Sequence, residues 1–276
     1  MKNLLIKILL VFLIFYSGSA YAGHLKFIQF TDVHFSTYME DKRDLSIKDS
    51  PELLNKAIEE INARKDIDFV VFSGDNIDEP DGDSLVEFLK ITKKFNKPYY
   101  IGIGNHDVLG CGLSKSKYLK LVDKYNKNQK NKTPNFCFKA GKDFIVIFMD
   151  GVIQTIPTSH GCFLEDELEW LEGVLEKNRN KKAIIVQHFP LVEPKEFKSH
   201  RTKRIEGYKD LLSRYDNILM VVSGHYHYAN VIEQDGIYHI SSPAFTMYPY
   251  RYRIIEVDTG NSGIDVKTEL IPLIKN

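Results

Sequence analysis

The stretch of sequence that decides the fold reads FVVFSGDN and occupies residues 69–76. Its first four residues, Phe69–Phe72, have the aromatic and β-branched composition of a short buried strand. Gly74 follows, and glycine permits a tight turn that aims the next side chain back over the edge of a sheet. The stretch therefore predicts a buried strand that presents the side chain of Asp75 at its carboxyl end.

Four other apolar runs end in the same way. Their polar clusters are Asp32-Val33-His34, Gly104-Asn105-His106-Asp107, Gln187-His188 and Gly224-His225-Tyr226-His227. One histidine after a strand is most often a hydrogen-bonded loop residue. In open α/β sheets, however, ligands bind at the carboxyl ends of the strands, so we expect these clusters to meet in space although they are far apart in sequence.

The five clusters share one kind of chemistry. They supply carboxylate, amide and imidazole donors and contain no thiolate. Such a set suits borderline divalent ions. We therefore expect two divalent metal ions (Mn, Fe or Zn) as cofactors.

Apolar runs and helical patterns alternate along the chain. The predicted strands are 27–30, 69–72, 99–103, 144–149, 183–186 and 218–222, and the predicted helices are 51–64, 85–95, 116–125, 165–177 and 208–215. Such alternation is typical of a layered α/β fold. The last third instead predicts hairpins, with strands at 231–233, 237–241, 251–257 and 264–270. We expect two packed sheets flanked by helices, all within one domain.

The amino terminus has the order of a secretory signal peptide. Lys2 and Lys7 precede an apolar run over residues 8–16, and small residues lead to Ala22. The alternative is a membrane anchor, but the apolar run is much shorter than the ~20 residues that a spanning helix needs. The pattern predicts a signal peptide at residues 1–22, cleaved after Ala22, and export to a periplasm or out of the cell. No membrane span is expected after cleavage.

The charge balance argues against a nucleic-acid-binding protein. The chain has 37 basic and 37 acidic side chains, so the loss of Lys2 and Lys7 with the signal leaves a small negative net charge. A nucleic-acid surface needs an excess of positive charge. We expect no specific nucleic-acid surface.

Cysteine usage leaves two alternatives open. The chain has three cysteines, Cys111, Cys137 and Cys162, in a compartment that allows disulfides if the protein is exported. One disulfide with one free thiol is the first alternative, and three small buried side chains are the second.

The polar clusters, in their order along the chain, resemble the motifs of the calcineurin-like metallophosphoesterase superfamily. The resemblance covers residues 32–227, and the motif spacing looks most like the class III cyclic-nucleotide phosphodiesterase branch. It implies a four-layer α-β-β-α sandwich of two mixed sheets flanked by helices over residues 23–276. It also implies a metal-dependent phosphoesterase that attacks a small phosphate-ester substrate with a hydroxide bridging two metals.

The resemblance assigns seven residues to the metals. The first ion would be held by Asp32, His34 and His227. The second ion would be held by Asn105, His188 and His225. Asp75 would bridge both ions, because one carboxylate can bind two cations at once.

Two further residues would be catalytic. His106 would protonate the departing oxygen or stabilise charge on the phosphoryl group. Asp107 would orient His106, and a loop cap is the alternative role for this carboxylate. Asp78 completes a Gly-Asp-x-x-Asp pattern, and we expect it to form a turn.

Two segments leave a choice between binding and structure. The basic run 199–204 would either meet a substrate phosphate or form a solvated loop. The aromatic stretch 245–252 would either stack on a base or acyl chain or pack in the core or rim. His160 and His200 lie in long connections that could rim the pocket.

Hydrolysis of phosphodiesters is the favoured function, and two alternatives stay open. A phosphomonoesterase, or a phosphatase of nucleotides or lipid head groups, would use the same site. A non-catalytic binding scaffold would keep the fold, but it should have lost a metal ligand or His106. Every one of these positions is filled, and unpaired buried carboxylates and histidines are costly to keep without metals.

Overall fold

The computed structural model of the protein describes residues 23–197, 200–260 and 263–273. The predicted signal peptide at residues 1–22 lies outside the described residues, so its cleavage and the export of the protein stay predictions. In the part of the chain that the structure describes, no helix has the length and apolar character needed to cross a membrane.

The first sheet has five strands. Three of them run parallel: β1 (Gly23–Phe30), β2 (Phe69–Phe72) and β3 (Tyr99–Ile101). Two long strands extend the other side, with β10 (Arg251–Gly260) antiparallel to β1 and β11 (Gly263–Pro272) antiparallel to β10. The strand order is β11-β10-β1-β2-β3, which makes β1 a central strand paired on both sides.

The second sheet has six strands in the order β4-β5-β6-β7-β9-β8. Their bounds are β4 (Phe136–Ala140), β5 (Phe144–Met149), β6 (Lys182–Gln187), β7 (Ile218–Ser223), β8 (Asn230–Gln234) and β9 (Ile237–Ser241). Strands β5, β6, β7 and β9 are parallel, whereas β4 and β8 pair antiparallel at the edges. Both sheets are therefore mixed, as predicted.

Among the described residues, five helices cover the outer faces of the sheets. Their bounds are α1 (Ser50–Ala63), α2 (Gly82–Thr92), α3 (Lys115–Tyr125), α4 (Glu165–Lys177) and α5 (Ile205–Leu212). Buried residues of α1, α2 and α3 pack with β1, β2 and β3 in one apolar cluster. Those of α4 and α5 pack with β5, β6 and β7 in another. The helices lie on opposite sides of the sheet pair.

The alternation of side chains along the strands creates the layers. Phe30 and Phe72 face the first group of helices. Their neighbours Phe27, Phe69 and Val71 face the second sheet and pack there with apolar residues of β5, β6 and β7. Four layers follow in the order helix, sheet, sheet, helix, and the predicted α-β-β-α sandwich is confirmed.

Three sequence expectations need correction. Strand β4 was not predicted, because its burial alternates and only Ala140 is fully buried. The final third is not wholly antiparallel, since β9 runs parallel to β7. Both alternatives for the cysteines are wrong: Cys111, Cys137 and Cys162 are free thiols, and none of them is buried.

We predict that Phe30→Ala destabilises the fold by about 3–5 kcal/mol, because it opens a cavity in a packed core. Phe30 is 1% exposed, and its ring centroid lies 5.1 Å from that of Phe72 and 5.0 Å from that of Phe245. Denaturant unfolding measures the change. Phe197→Ala is the control, because Phe197 is 45% exposed and should lose about 0.5 kcal/mol or less. Equal losses for the two variants would contradict the packing described above.

Candidate metal centre

The loops that carry the polar clusters are tied together by their backbones. They follow β1, β2, β3, β6 and β7 at the carboxyl edges of the two sheets. The amide of Asp32 donates to the carbonyl of Gly74 at 3.0 Å, and the amide of His34 donates to that of Asp75 at 3.0 Å. These bonds fix the clusters that follow β1 and β2 relative to one another.

The same loops hold their residues in an unusual backbone conformation. Eight non-glycine residues in the described part of the chain have a positive φ, and five of them belong to the predicted site: Asp32, His34, Asp75, His225 and His227. The left-handed region costs a residue with a Cβ roughly 1–2 kcal/mol. Strained residues of this kind cluster at functional sites, where the surrounding structure holds them in place.

Two glycines in these motifs are required by close approach. A Cβ on Gly104 would lie 2.2 Å from the amide nitrogen and from Oδ1 of Asp75. A Cβ on Gly224 would lie 1.9 Å from Oγ1 of Thr31 and 2.3 Å from Oδ2 of Asp32. The sequence indicated that glycine permits a turn at these positions, and the structure adds that glycine lets neighbouring loops touch.

Asp32, His34 and His227 form the first group of donors. The Nε2 atom of His227 lies 3.3 Å from Oδ1 of Asp32, and it lies 3.2 Å from Nε2 of His34. One ligand atom from each residue fits within 4.8 Å of the others. The carboxylate of Asp32 also accepts hydrogen bonds from the hydroxyl of Thr31 at 2.6 Å and from the amide of His225 at 3.0 Å, which fix its direction.

Asp75, His188 and His225 form the second group, which also has one ligand atom from each residue within 4.8 Å of the others. The Nε2 atom of His188 lies 3.1 Å from Oδ2 of Asp75 and 3.2 Å from Nδ1 of His225. The side-chain oxygen of Asn105 is buried and has no hydrogen-bond partner among the described residues. A buried amide oxygen without a donor is suited to a cation.

Asp75 lies between the two groups. Its Oδ2 atom is 3.1 Å from Nε2 of His188 in the second group and 4.0 Å from Nε2 of His34 in the first. Its other oxygen accepts a hydrogen bond from the amide of His106 at 2.8 Å. Six of the seven residues that the sequence assigned to metal binding lie in these two groups, and the seventh, Asn105, lines the same cavity as Asp75 and His225.

Ring nitrogens of neighbouring imidazoles face each other at 3.2 Å in both groups. Nδ1 of His34 lies 3.3 Å from a carboxylate oxygen of Asp78, and Nδ1 of His188 lies 3.2 Å from the carbonyl oxygen of Ser73. A neutral imidazole with its proton on Nδ1 has a lone pair on Nε2, and the Nε2 atoms of His34 and His188 point into the two groups. Nitrogens about 3 Å apart are stabilised by a cation between them, and that separation suits ligands of one ion. The donor set therefore fits two divalent cations.

Electrostatics favour positive charge at this position. Burial disfavours the imidazolium of His188, but the carboxylate of Asp75 outweighs burial and raises the pKa of His188 to about 9. Burial and the neighbouring His188 hold the pKa of His225 well below its usual range. Burial opposes the charge of Asp75, yet His188 and His106 keep the pKa of that carboxyl well below its usual range. A proton on His188 supplies charge that a bound cation would replace.

His106 lies beside both groups, and its ring is oriented by a backbone carbonyl. Its Nδ1 is 2.7 Å from the carbonyl oxygen of Asp78, so Nδ1 carries a proton and donates to that oxygen. Its ring lies edge-on to that of His34, with centroids 4.7 Å apart. The Nε2 atom remains for contact with a ligand, because His106 also lines the cavity over the two groups.

The structure corrects the role expected for Asp107. Its buried carboxylate accepts four hydrogen bonds, from the amides of Gly104, Asn76 and Ile77 and from the side chain of Asn76, at 2.7–3.0 Å. None of the four comes from the imidazole of His106. Burial and the charge of Asp75 raise the pKa of Asp107 to about 7. The alternative role is the correct one, because this carboxylate caps the loops that carry Asp75 and Asn105.

Sequence reasoning missed the part that Asp78 has in the site. Its carbonyl orients His106, its Oδ1 lies 3.3 Å from Nδ1 of His34, and its Oδ2 accepts from the ammonium of Lys42 at 2.6 Å. Asp78 is therefore more than a turn residue. The signal was present in the Gly-Asp-x-x-Asp spacing, which places a second carboxylate three residues after Asp75.

A cavity of about 340 Å³ opens over the two groups. Besides site residues, its walls contain Lys42, Arg43, Asp44, Leu45, Ser159 and His200. The ring of His200 contacts that of His225 in a tilted arrangement, with centroids 4.9 Å apart, and so His200 rims the pocket. His160 does not line this cavity; its Nδ1 lies 2.9 Å from the carbonyl oxygen of Arg201.

The two segments whose roles the sequence left undecided, 199–204 and 245–252, are mainly structural. In the basic run, Arg201 forms an ion pair with Glu193 at 2.8 Å, and only His200 of the described residues of the run lines the cavity. In the aromatic stretch, Phe245, Tyr250 and Tyr252 are buried in the apolar cluster under α1, α2 and α3. Core packing is therefore the better account of that stretch.

Comparisons with known proteins agree with this geometry. A family model described as calcineurin-like phosphoesterase matches residues 25–229, which is more than half of the chain. A 3′,5′-cyclic adenosine monophosphate phosphodiesterase from Haemophilus influenzae is 21% identical over 223 residues, covering 80% of this chain and 76% of that protein. A manganese-dependent ADP-ribose/CDP-alcohol diphosphatase from Arabidopsis thaliana is 22% identical over 280 residues, covering 82% of this chain and 88% of that protein.

A solved structure supports the fold. The chain superposes on a dimetal phosphatase from Danio rerio with a TM-score of 0.69 at 15% identity, covering 91% of this chain and 99% of that one. The predicted metallophosphoesterase fold and the family resemblance are confirmed. The chain belongs to the calcineurin-like phosphoesterase family and is a metal-dependent hydrolase of phosphate esters.

Proposed function

We propose that this protein hydrolyses phosphodiesters at a centre of two divalent cations. Asp32, His34 and His227 would hold one cation, and Asn105, His188 and His225 would hold the other. Asp75 would bind both. The observation that carries this proposal is that Asp75 belongs to one three-residue donor group and reaches the other: its Oδ2 lies 3.1 Å from Nε2 of His188 in its own group and 4.0 Å from Nε2 of His34 in the first group.

The chemistry divides between the cations and the protein. When bound, two cations would lower the pKa of a water between them and so supply hydroxide as the nucleophile near neutral pH. The protein holds the seven donors in fixed directions, and it places Lys42, Arg43 and His200 on the cavity wall where a phosphate ester would enter. The cations would stabilise the negative charge that grows on the phosphoryl oxygens.

His106 would protonate the departing oxygen. Its Nδ1 proton is held by the carbonyl of Asp78 at 2.7 Å, so a second proton on the ring must sit on Nε2. The backbone amide of His106 donates to Asp75 at 2.8 Å, which fixes the imidazole of His106 beside the bridging carboxylate. Proton transfer from a positioned group of this kind contributes roughly 10²–10⁴-fold to the rate.

Two relatives support a substrate with a doubly substituted phosphate. The Haemophilus influenzae relative is named for a cyclic phosphodiester, and the Arabidopsis thaliana relative is named for diphosphates. Both names describe a phosphorus that carries two substituents. We therefore favour diesters and diphosphates over monoesters as substrates of this protein.

The first test is hydrolysis of bis-p-nitrophenyl phosphate by the purified protein with added manganese. We expect turnover that is abolished by a chelator and restored by manganese, and a higher kcat/KM than for p-nitrophenyl phosphate. Manganese is the first choice because the donors are oxygen and nitrogen atoms and one relative is named for it. Activity on the monoester alone would contradict the preference for diesters, and equal activity after chelation would contradict a metal-dependent reaction.

His106→Asn and Asp75→Asn should fail in different ways. His106→Asn should keep the metal content, and its kcat should fall by roughly 10²–10⁴-fold for diesters whose alcohol is a poor leaving group. The loss should be smaller for p-nitrophenyl esters, because p-nitrophenolate departs without a proton. Asp75→Asn should lose bound metal, because it removes charge from the carboxylate shared by both groups.

Elemental analysis of the two variants separates these roles. A His106→Asn protein that loses metal would make His106 a ligand, contrary to its contacts. An Asp75→Asn protein with full metal content and full turnover would contradict the role of Asp75 as the carboxylate shared by both metal ions.

A further inference from the structure

The wall of the active-site cavity contains an arginine in an unusual backbone conformation. Arg43 lies in a two-residue hairpin turn between Lys42 and Leu45, whose backbones exchange hydrogen bonds of 3.2 and 2.9 Å. The φ of Arg43 is 51°, whereas the next residue, Asp44, has no positive φ. A positive φ at the first central residue of a two-residue hairpin turn favours glycine at that position.

This position disfavours any side chain. A residue with a Cβ is strained in the left-handed region, and glycine adopts it without that cost. Arg43 nevertheless carries a long side chain there and lines the cavity that contains His34, His106 and His227. A strained residue facing a functional cavity points to a role for its side chain.

The turn itself is held firmly from both sides. The amide of Ser46 donates to the carbonyl of Thr246 at 2.9 Å, and Leu45 pairs with Met247 in an isolated bridge. Leu45 also packs with Ile47 in a small buried cluster. The backbone that carries Arg43 is therefore fixed before a ligand arrives, which reduces the entropy lost on binding.

The guanidinium is an available cation on this wall. The neighbouring ammonium of Lys42 is already paired, with Asp78 at 2.6 Å and Glu79 at 3.0 Å. Arg43 is exposed, and within the described ranges it makes no ion pair and no side-chain hydrogen bond. The carboxylate of Asp44 also lines the cavity, so the charge of Arg43 is partly screened but not paired.

We propose that Arg43 binds a second phosphate of the substrate, one carried by the half of the molecule that lies away from the metal centre. The guanidinium fork matches two phosphate oxygens, and such charged, bidentate bonds are strong and directional. The phosphate that reacts would be neutralised by the two cations, so an unpaired arginine on the cavity wall suits a separate anion. This inference rests on the proposed phosphodiesterase function, because it assumes that the cavity receives the substrate.

A matched pair of substrates tests the role of Arg43. The p-nitrophenyl ester of thymidine 5′-phosphate has one phosphate, and its 3′-phosphorylated form has the same reacting bond and a second phosphate. Release of p-nitrophenolate reports on both. We expect the KM of the native protein to be about tenfold lower for the 3′-phosphorylated ester, since hydrogen bonds between charged groups have that strength. The kcat values should be similar, because the second phosphate binds equally before and during reaction.

Arg43→Gly should remove this discrimination and leave the fold intact. The KM values of the variant for the two esters should become equal within about twofold. The Tm should not fall, because glycine suits the left-handed backbone. Arg204→Gly is the matched control, because Arg204 is also exposed, has a φ of 55° and lies outside the cavity. It should keep the native KM ratio.

Three outcomes would overturn the proposal. The first is a native protein that is active on bis-p-nitrophenyl phosphate yet shows no preference for the 3′-phosphorylated ester. The second is an equal loss of kcat/KM for both esters in Arg43→Gly, which would place Arg43 on the reacting phosphate. The third is a fall of several degrees in the Tm of Arg43→Gly, which would make the side chain structural. Absence of metal-dependent activity on bis-p-nitrophenyl phosphate is a different result, since it rejects the proposed function itself.

Discussion

The site depends on one constraint: the ring nitrogens and carboxylate oxygens of buried side chains are held about 3–4 Å apart around the carboxylate of Asp75. Two imidazole pairs, His34 with His227 and His188 with His225, present ring nitrogens at 3.2 Å. Closely spaced ring nitrogens and a buried carboxylate are unfavourable in a low-dielectric interior unless positive charge, from a proton or a metal ion, lies among them. Two cations satisfy this requirement, and the strained loops and contacting glycines are consistent with a site built to receive them.

The fold meets this constraint by fastening the ends of its strands to each other beneath the site. The side chain of Gln29 in β1 donates to the hydroxyl of Ser73 and to the carbonyl of Ser223, both at 2.9 Å, and so joins the ends of β1, β2 and β7. Its oxygen accepts from Ser242, whose hydroxyl accepts from the buried guanidinium of Arg253. A satisfied buried network of this kind is rigid and links the two sheets directly below the metal-binding loops.

Much of the fold was predictable because the sequence states it locally. Phe69–Phe72 is apolar on both faces and ends in Gly74 and Asp75, so both the strand and its polar end could be predicted. Strand β4 was missed because its burial alternates over five residues and its partner β5 decides its conformation. Helix α5 begins three residues earlier than expected, because its start follows Arg204 in a left-handed conformation that no sequence pattern indicates.

The candidate metal ligands were predictable from the sequence, but the residues that orient them were less so. Polar residues after buried strands predicted where the site lies, because the carboxyl ends of strands meet at one edge, and the family resemblance assigned the seven candidate ligands. The contacts of Asp78 with His34 and Lys42, and those of Asp107 with the amides of Asn76 and Ile77, join residues that are 30 or more positions apart. Such contacts depend on how two loops approach each other, and spacing along the chain does not define that approach.

A crystal structure of the manganese-loaded protein, with anomalous scattering from the metal, tests the central claim most directly. The account predicts two anomalous peaks about 3.5–4 Å apart, on either side of the Asp75 carboxylate. One peak would be bounded by Asp32, His34 and His227, and the other by Asn105, His188 and His225. A single peak, or manganese bound elsewhere while these groups stay empty, would contradict it.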